Sequence, residues 1–152
     1  MITTLIAVGK PRPAFQEACD EYLARLRRYG EVVLCEVREG PATASPRERR
    51  RTEAKRLLER VPERSVVVTL DQTGTGWTSE ALASHLSRWR EGGKPVALLI
   101  GGSTGLDEAA LARADHRWSL GPLTLPHQLA RLVVLEQWYR AWTILRGEPY
   151  HK

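Results

Sequence analysis

The sequence predicts an α/β fold in which a largely parallel β-sheet is flanked by helices. Three observations carry this. Short apolar, β-branched runs alternate with longer stretches whose apolar residues recur at helical spacing, along all 152 residues. A helix separates each strand from the next, and such crossovers pair strands in parallel. No internal repeat or composition break marks a second unit, so residues 1–152 read as one domain.

Ile2–Val8 is apolar, β-branched and closed by Gly9, the pattern of a short central strand. Phe15, Ala18, Cys19, Tyr22, Leu23, Leu26 and Tyr29 then share one helical face, with Gly30 as the candidate C-cap. Val32–Val37 is the second strand. The loop Gly40–Ser45 ends in a helix-start signal: Ser45 to cap, Pro46 at the first helical position, Glu48 to complete a capping box. In the helix that follows, Arg47–Arg60, the basic residues Arg47, Arg49, Arg50, Arg51, Lys55 and Arg56 stand against Glu48, Glu53 and Glu59. Only Ala54, Leu57, Leu58 and Val61 anchor it, and a phosphate-binding face and a solvated face both fit the pattern.

Ser65–Leu70 is the third strand, ending at Asp71, a carboxylate that suits a ligand site or a turn equally. Thr78 or Ser79 caps a helix through Trp89 with Leu82, Leu86 and Trp89 inward, ended by Gly92 and Gly93. Val96–Ile100 is the fourth strand and opens directly into Gly101-Gly102-Ser103-Thr104-Gly105. Asp107 caps a short helix to Ala114, and Arg117–Leu120 is a weaker fifth strand. The last helix, from about Gln128 to Arg146, is apolar nearly all round (Leu129, Leu132, Val133, Val134, Leu135, Trp138, Tyr139, Ala141, Trp142, Leu145). Such a helix needs cover on more than one side, which predicts a homodimer.

Apolar residues at 42% and charged residues at 27% are ordinary for a folded domain. A net charge of +5 and a pI near 9.6, much of it from arginine, favour a polyanionic partner. Cys19 and Cys35 lie outside any CxxC pattern and read as core thiols of a reducing compartment. The four histidines form no ligand pair, so no metal is expected. No apolar run approaches the roughly 18 residues of a membrane span and no signal-peptide pattern opens the chain, so the expected location is cytoplasmic.

Two loops are candidate ligand sites. In Leu120–Pro126, Pro122 and Pro126 lack amide donors and only Thr124 has a polar side chain, so the main-chain groups need partners. The loop is either a main-chain cradle for a flat ligand or a tight connector. The glycines of residues 101–105 let amides approach a ligand closely, without forming G-x-G-x-x-G or a P-loop. The same residues match G-x-S-x-G, which offers Ser103 as an esterase nucleophile with Asp107 or Asp115 and His116, His127 or His151, although the chain is small for that fold. His127 stands at the mouth of the last helix as a packing residue or a base, Arg131 projects from its first turn, and Glu136 and Arg140 are spaced to pair. The tail Glu148–Lys152 offers an aromatic, an imidazole and an ammonium to a base and its phosphate.

Together IAVGK, VTLD, LLIGGSTGL, LTLPHQLARLVVLEQWYRAW and RGEPYHK resemble the ribosomal RNA large-subunit methyltransferase H family, the smallest of the SPOUT, or trefoil-knotted, methyltransferases. The match runs from the first strand to the last residue, and the combination is far more specific than any one motif. It implies an α/β knot in which the C-terminal segment threads a loop of the chain, a topology that general folding rules would not suggest. It also implies a homodimer that uses S-adenosylmethionine to methylate N3 of one pseudouridine in helix 69 of the large-subunit rRNA, on the assembled ribosome.

Carried over by position, the resemblance places the cofactor against Leu70, Gly101, Leu120, Gly121, Pro122, Leu123, Thr124 and Leu125. Dimer packing brings Tyr150, His151 and Lys152 near the partner's cofactor, and with Arg131 the candidate substrate contacts are Tyr150 and Lys152. N3 must lose its proton as it takes the methyl, so the candidate catalytic groups are His151, His127 and Arg140, in that order. The Arg-rich helix matches the family only loosely. A SPOUT enzyme aimed at tRNA and a non-catalytic RNA-binding factor are the alternatives, separated by a substrate panel and by cofactor binding.

Overall fold

The computed structural model describes residues 1–152. Strands β1 (Ile2–Val8), β2 (Glu31–Val37), β3 (Val66–Gly76), β4 (Val96–Ile100) and β5 (His116–Ser119) form one parallel sheet in the order β2-β1-β4-β3-β5. They alternate with helices α1 (Pro13–Leu26), α2 (Pro46–Leu58), α3 (Ser79–Glu91), α4 (Glu108–Arg113) and α5 (His127–Leu145). β4 is buried throughout and β1 from Thr3 onward, which is why both read as continuous apolar runs. Leu5, Ala7, Val68, Leu98 and Ile100 share a core with residues of α1, α3 and α5; their neighbours Ile6, Val8, Val67 and Leu99 pack with Leu57 of α2. No helix is long and apolar enough to cross a membrane.

Local signals set the helix starts. Ser45 Oγ accepts from Glu48 N and Pro46 opens α2; Thr78, rather than Ser79, accepts from Ala81 N at α3; Asp107 accepts from Ala109 N at α4. The expected cap at Gly30 is not found. α1 stops at Leu26, and Gly30 serves a close approach instead, because a Cβ there would lie 2.9 Å from the Met1 carbonyl oxygen. β3 also continues past Asp71. Leu70 and Thr75 both register with Trp118, so residues 71–74 loop out as a bulge. At Gly74 a Cβ would sit 2.5 Å from the Arg117 carbonyl oxygen, a crossing that only glycine fits.

α5 lies between α1 and α3. Trp138 stacks on Trp89 of α3 (ring centroids 6.2 Å apart), Tyr139 meets Tyr22 of α1, and Trp142 stacks on Tyr29 at 5.5 Å. Its wide apolar surface is therefore largely covered within the chain, and that breadth alone does not argue for a second copy.

On α3 the ring of His85 lies between Trp77 (4.3 Å) and Trp89 (5.4 Å), and Arg88 donates to its Nδ1 at 3.0 Å. Burial, helped by Arg88 and His116, pushes the His85 pKa down. As pH falls through the ordinary histidine value of about 6.5 the unfolded chain takes up the proton first. This contribution to stability is therefore present above that pH and lost as pH falls toward the folded-state value. We expect the urea midpoint to drop between pH 7.5 and 5.5, and His85→Phe to flatten that part of the curve. Parallel curves for the two proteins would exclude His85 as the source.

Candidate active site

The C-terminal ends of β3, β4 and β5 converge on a cavity of about 150 Å³. Parallel sheets bind ligands beyond this edge, usually where the chain reverses its direction of strand addition. Here that point falls between β1 and β4, and the cavity is displaced toward β5, where three loops meet.

Of the positions expected at a cofactor, Leu70, Gly101, Leu120, Gly121, Leu123, Thr124 and Leu125 line this cavity. Pro122 does not; its carbonyl accepts from Gln72 Nε2 at 3.0 Å and ties the loop to the 71–74 bulge. Gly102, Gly105, Leu106, Trp118 and Ala130 also line the wall, of which only the two glycines carried a signal in the sequence. The backbone explains the glycines. Gly121 has φ +120° and Gly105 φ +84°, conformations that side-chain-bearing residues rarely adopt. Ser119 Oγ accepts from Gly121 N at 3.1 Å and so fixes the start of the second loop, while Gly105 N donates to Gly102 O and folds the first loop back on itself.

The G-x-S-x-G reading is overturned. Ser103 is exposed outside the cavity lining, Asp107 caps α4, and Asp115 Oδ2 accepts from Val67 N at 2.8 Å near the start of β3. His116 belongs to the aromatic cluster around Trp77, so no nucleophile and base are brought together. Nor are three or more His, Cys, Asp or Glu side chains gathered as a metal site requires.

His127, the first residue of α5, lines the cavity. Arg131, one turn on, is not where substrate contact would need it. It is 1% exposed, and its guanidinium donates to Gly9 O at 2.8 Å, to Val8 O at 3.4 Å and to Glu36 Oε1 at 3.4 Å. Burial pulls its pKa down, opposed by Glu36 and Cys19. It clamps α5 to the end of β1, which corrects the expectation of an RNA contact.

The tail is folded back rather than frayed. Arg140 donates to Glu136 Oε1 from Nε and Nη2 (3.0 and 2.6 Å), and the Tyr150 hydroxyl donates to the same oxygen at 3.0 Å. Arg140 also lies over the Tyr150 ring, 4.7 Å from its centroid, and donates to His151 Nδ1 at 3.2 Å. His151 Nε2 then meets Glu80 Oε1 at 2.8 Å, a bond that holds the Glu80 carboxyl below its usual range. Burial, with bonds to Tyr22 and Glu136, raises the Tyr150 phenol far above the ordinary value, and the bond to Glu136 raises Arg140. Lys152 is exposed. Arg140, Tyr150 and His151 thus form one cluster, and none of them lines the cavity of its own chain.

A family model described as predicted SPOUT methyltransferase matches residues 1–151. The ribosomal RNA large subunit methyltransferase H of Anaeromyxobacter sp. (strain Fw109-5) is 49% identical over 149 residues, 97% of each chain. That of Rubrobacter xylanophilus is 50% identical over 152 residues, 97% of this chain and 96% of the other. The chain is a SPOUT methyltransferase of the ribosomal RNA large subunit methyltransferase H family.

Solved structures agree at the level of fold. A probable methylase family protein from Haemophilus influenzae superposes with a TM-score of 0.58 at 12% identity, over 95% of this chain and 66% of that one. The SpoU methyltransferase AviRb from Streptomyces viridochromogenes superposes with a TM-score of 0.50 at 15% identity, over 97% and 61%. In this SPOUT methyltransferase the cavity walls suit a flat cofactor: Leu70, Leu120 and Leu125 are apolar, and two glycine-containing loops leave main-chain groups unshielded.

Proposed function

We propose that this methyltransferase modifies N3 of a pseudouridine in helix 69 of 23S rRNA on the assembled ribosome, in the cytoplasm, with S-adenosylmethionine as cofactor. The observation that carries the reading is the cavity itself, built from main-chain loops at the C-terminal edge of the sheet, in a chain whose relatives are named for large-subunit rRNA methylation. Leu70, Gly101 and residues 120–125 would hold the cofactor. When bound, it supplies an electrophilic methyl on a sulfonium, already a good leaving group. What the chain adds is chiefly position.

Arg140, Tyr150 and His151 lie away from the cavity of their own chain, and we assign them to the cavity of a second copy in a homodimer. Arg140 and Glu80 set the orientation of the His151 imidazole, and His151 is the first candidate to take the proton from N3, at Nδ1 once Arg140 releases its hydrogen bond there; His127 is the second. Exposed Lys152 is placed at the rRNA backbone. The proposal includes the trefoil threading of the C-terminal segment.

The test is methyl transfer from labelled S-adenosylmethionine to assembled ribosomes, free large-subunit rRNA and tRNA, followed by mapping of the labelled base. Label on one helix 69 pseudouridine, with ribosomes preferred, supports the proposal. Label on tRNA moves the enzyme to a different substrate, and failure to bind the cofactor at all returns the chain to a non-catalytic RNA-binding role. Within the first outcome, His151→Ala is expected to lower turnover with cofactor affinity unchanged. Undiminished turnover would remove His151 from the mechanism.

A further inference from the structure

The structure divides the basic residues of α2 into two sets with different fates. Arg49, Arg50 and Arg56 are turned to the protein. Arg49 pairs with Glu39 at 3.3 Å, Arg50 Nη1 reaches Thr104 O at 3.5 Å, and Arg56 Nη1 donates to Arg38 O and Glu39 O at 2.9 and 2.8 Å. Arg47, Arg51 and Lys55 are exposed, and none has a carboxylate within ion-pair distance or a hydrogen bond from its side chain to another residue. Their spacing is i, i+4, i+8, so they form a stripe with members about 6 Å apart along the helix axis.

That stripe works against its own helix. Like charges at i,i+4 destabilise a helix, and Arg47 stands in the first turn, where the helix dipole already disfavours a cation. The helix has little to offset this, with Ala54 and Leu57 its only buried apolar residues. Glu48 and Glu59 are near in sequence yet form no ion pair with the stripe. Three unpaired cations kept in line at a cost to stability are what a polyanion requires.

The inner face of α2 says where that polyanion would lie. Glu53 is 2% exposed; its Oε2 accepts from Gly40 N at 3.2 Å, and its Oε1 has no partner and would lie 3.1 Å from a Cβ placed on Gly102. With Arg50 at Thr104, this seats α2 directly against the outer side of the glycine loop that walls the cofactor cavity.

We propose that Arg47, Arg51 and Lys55 form an rRNA-binding surface on α2, gripping backbone phosphates beside the active site. This rests on the rRNA methyltransferase reading above. The contact is with phosphates, so it adds affinity and orientation and reads no base.

The test is the variant Arg47→Ala/Arg51→Ala/Lys55→Ala, beside a control that removes the same charge elsewhere, Arg27→Ala/Arg90→Ala/Lys94→Ala. Binding to large ribosomal subunits and to their free rRNA is measured from 50 to 250 mM KCl. We expect the α2 variant to bind on the order of tenfold more weakly at 150 mM, with the salt slope reduced by about 2–3, since each phosphate no longer neutralised removes roughly 0.7–0.9 from it. Its KM for RNA should rise with kcat and cofactor affinity unchanged, and its melting temperature should be equal or higher. The control should keep most of the slope. An unchanged slope in the α2 variant, or an equal loss in the control, would overturn the proposal. If the wild-type enzyme methylates no large-subunit RNA, the underlying functional reading fails instead, and the two failures are distinct.

Discussion

Gly101→Ala is expected to weaken S-adenosylmethionine binding by about a hundredfold, close to 2.7 kcal/mol, while the protein stays folded. A Cβ on Gly101 would lie 2.7 Å from the Gly105 carbonyl oxygen and 2.8 Å from its carbon. Both are backbone atoms and have no rotamer to escape into. Gly105 is itself in the left-handed region and bonded to Gly102, so the turn has to open as a unit, and both of its edges line the cavity. Gly102→Ala is the internal comparison. Its new methyl would meet Glu53 Oε1 and Val8 Cγ1, both at 3.1 Å, and both belong to side chains that can give by a few tenths of an ångström. Calorimetric titration of the two variants should therefore separate them by at least tenfold. A Gly101→Ala protein that binds within threefold of wild type would show that this loop is not part of the cofactor cradle.

What is legible in the sequence follows from how far each interaction reaches. The caps at Ser45, Thr78 and Asp107 bond two or three residues along the chain, so composition and spacing reveal them. The buried runs of β1 and β4 and the glycine loop announce themselves in the same way. The bulge at residues 71–74 does not, because its cause is the Arg117 backbone passing beside Gly74, over forty positions away. By sequence Glu53 is one of several acids balancing a basic helix, yet it is buried behind Gly102. By sequence the tail offers its groups to a base and its phosphate, yet within the chain Glu80, Glu136 and Arg140 hold Tyr150 and His151. In each case the deciding neighbour lies far along the chain: Arg117 for Gly74, Gly40 and Gly102 for Glu53, Glu80 for His151.

Arg131 is the sharpest of these cases, and its replacement carries the second large effect. Arg131→Ala is expected to destabilise the protein by about 3 kcal/mol, the low end of the range for breaking a buried ion pair. The low end applies because Glu36 is 21% exposed and regains water when its partner is lost. The Val8 and Gly9 carbonyls, each left without the arginine's donor, make up the rest of the cost. For a chain of 152 residues this corresponds to a fall of about 6–12 °C in melting temperature. Arg131→Lys should recover part of it, since an ammonium keeps the charge but loses the planar fork that reaches Gly9 and Glu36 together. The clamp explains why a cation one turn into α5 is worth burying: it ties the helix that carries His127 into the cavity to the C-terminal end of the central strand β1. A clamp and a substrate contact predict opposite results for the lysine variant. If Arg131→Lys melts as wild type does but binds rRNA tenfold more weakly, the residue turns outward in solution and the clamp is wrong. If it melts several degrees lower and binds rRNA normally while folded, the arginine acts on the fold and not on the substrate.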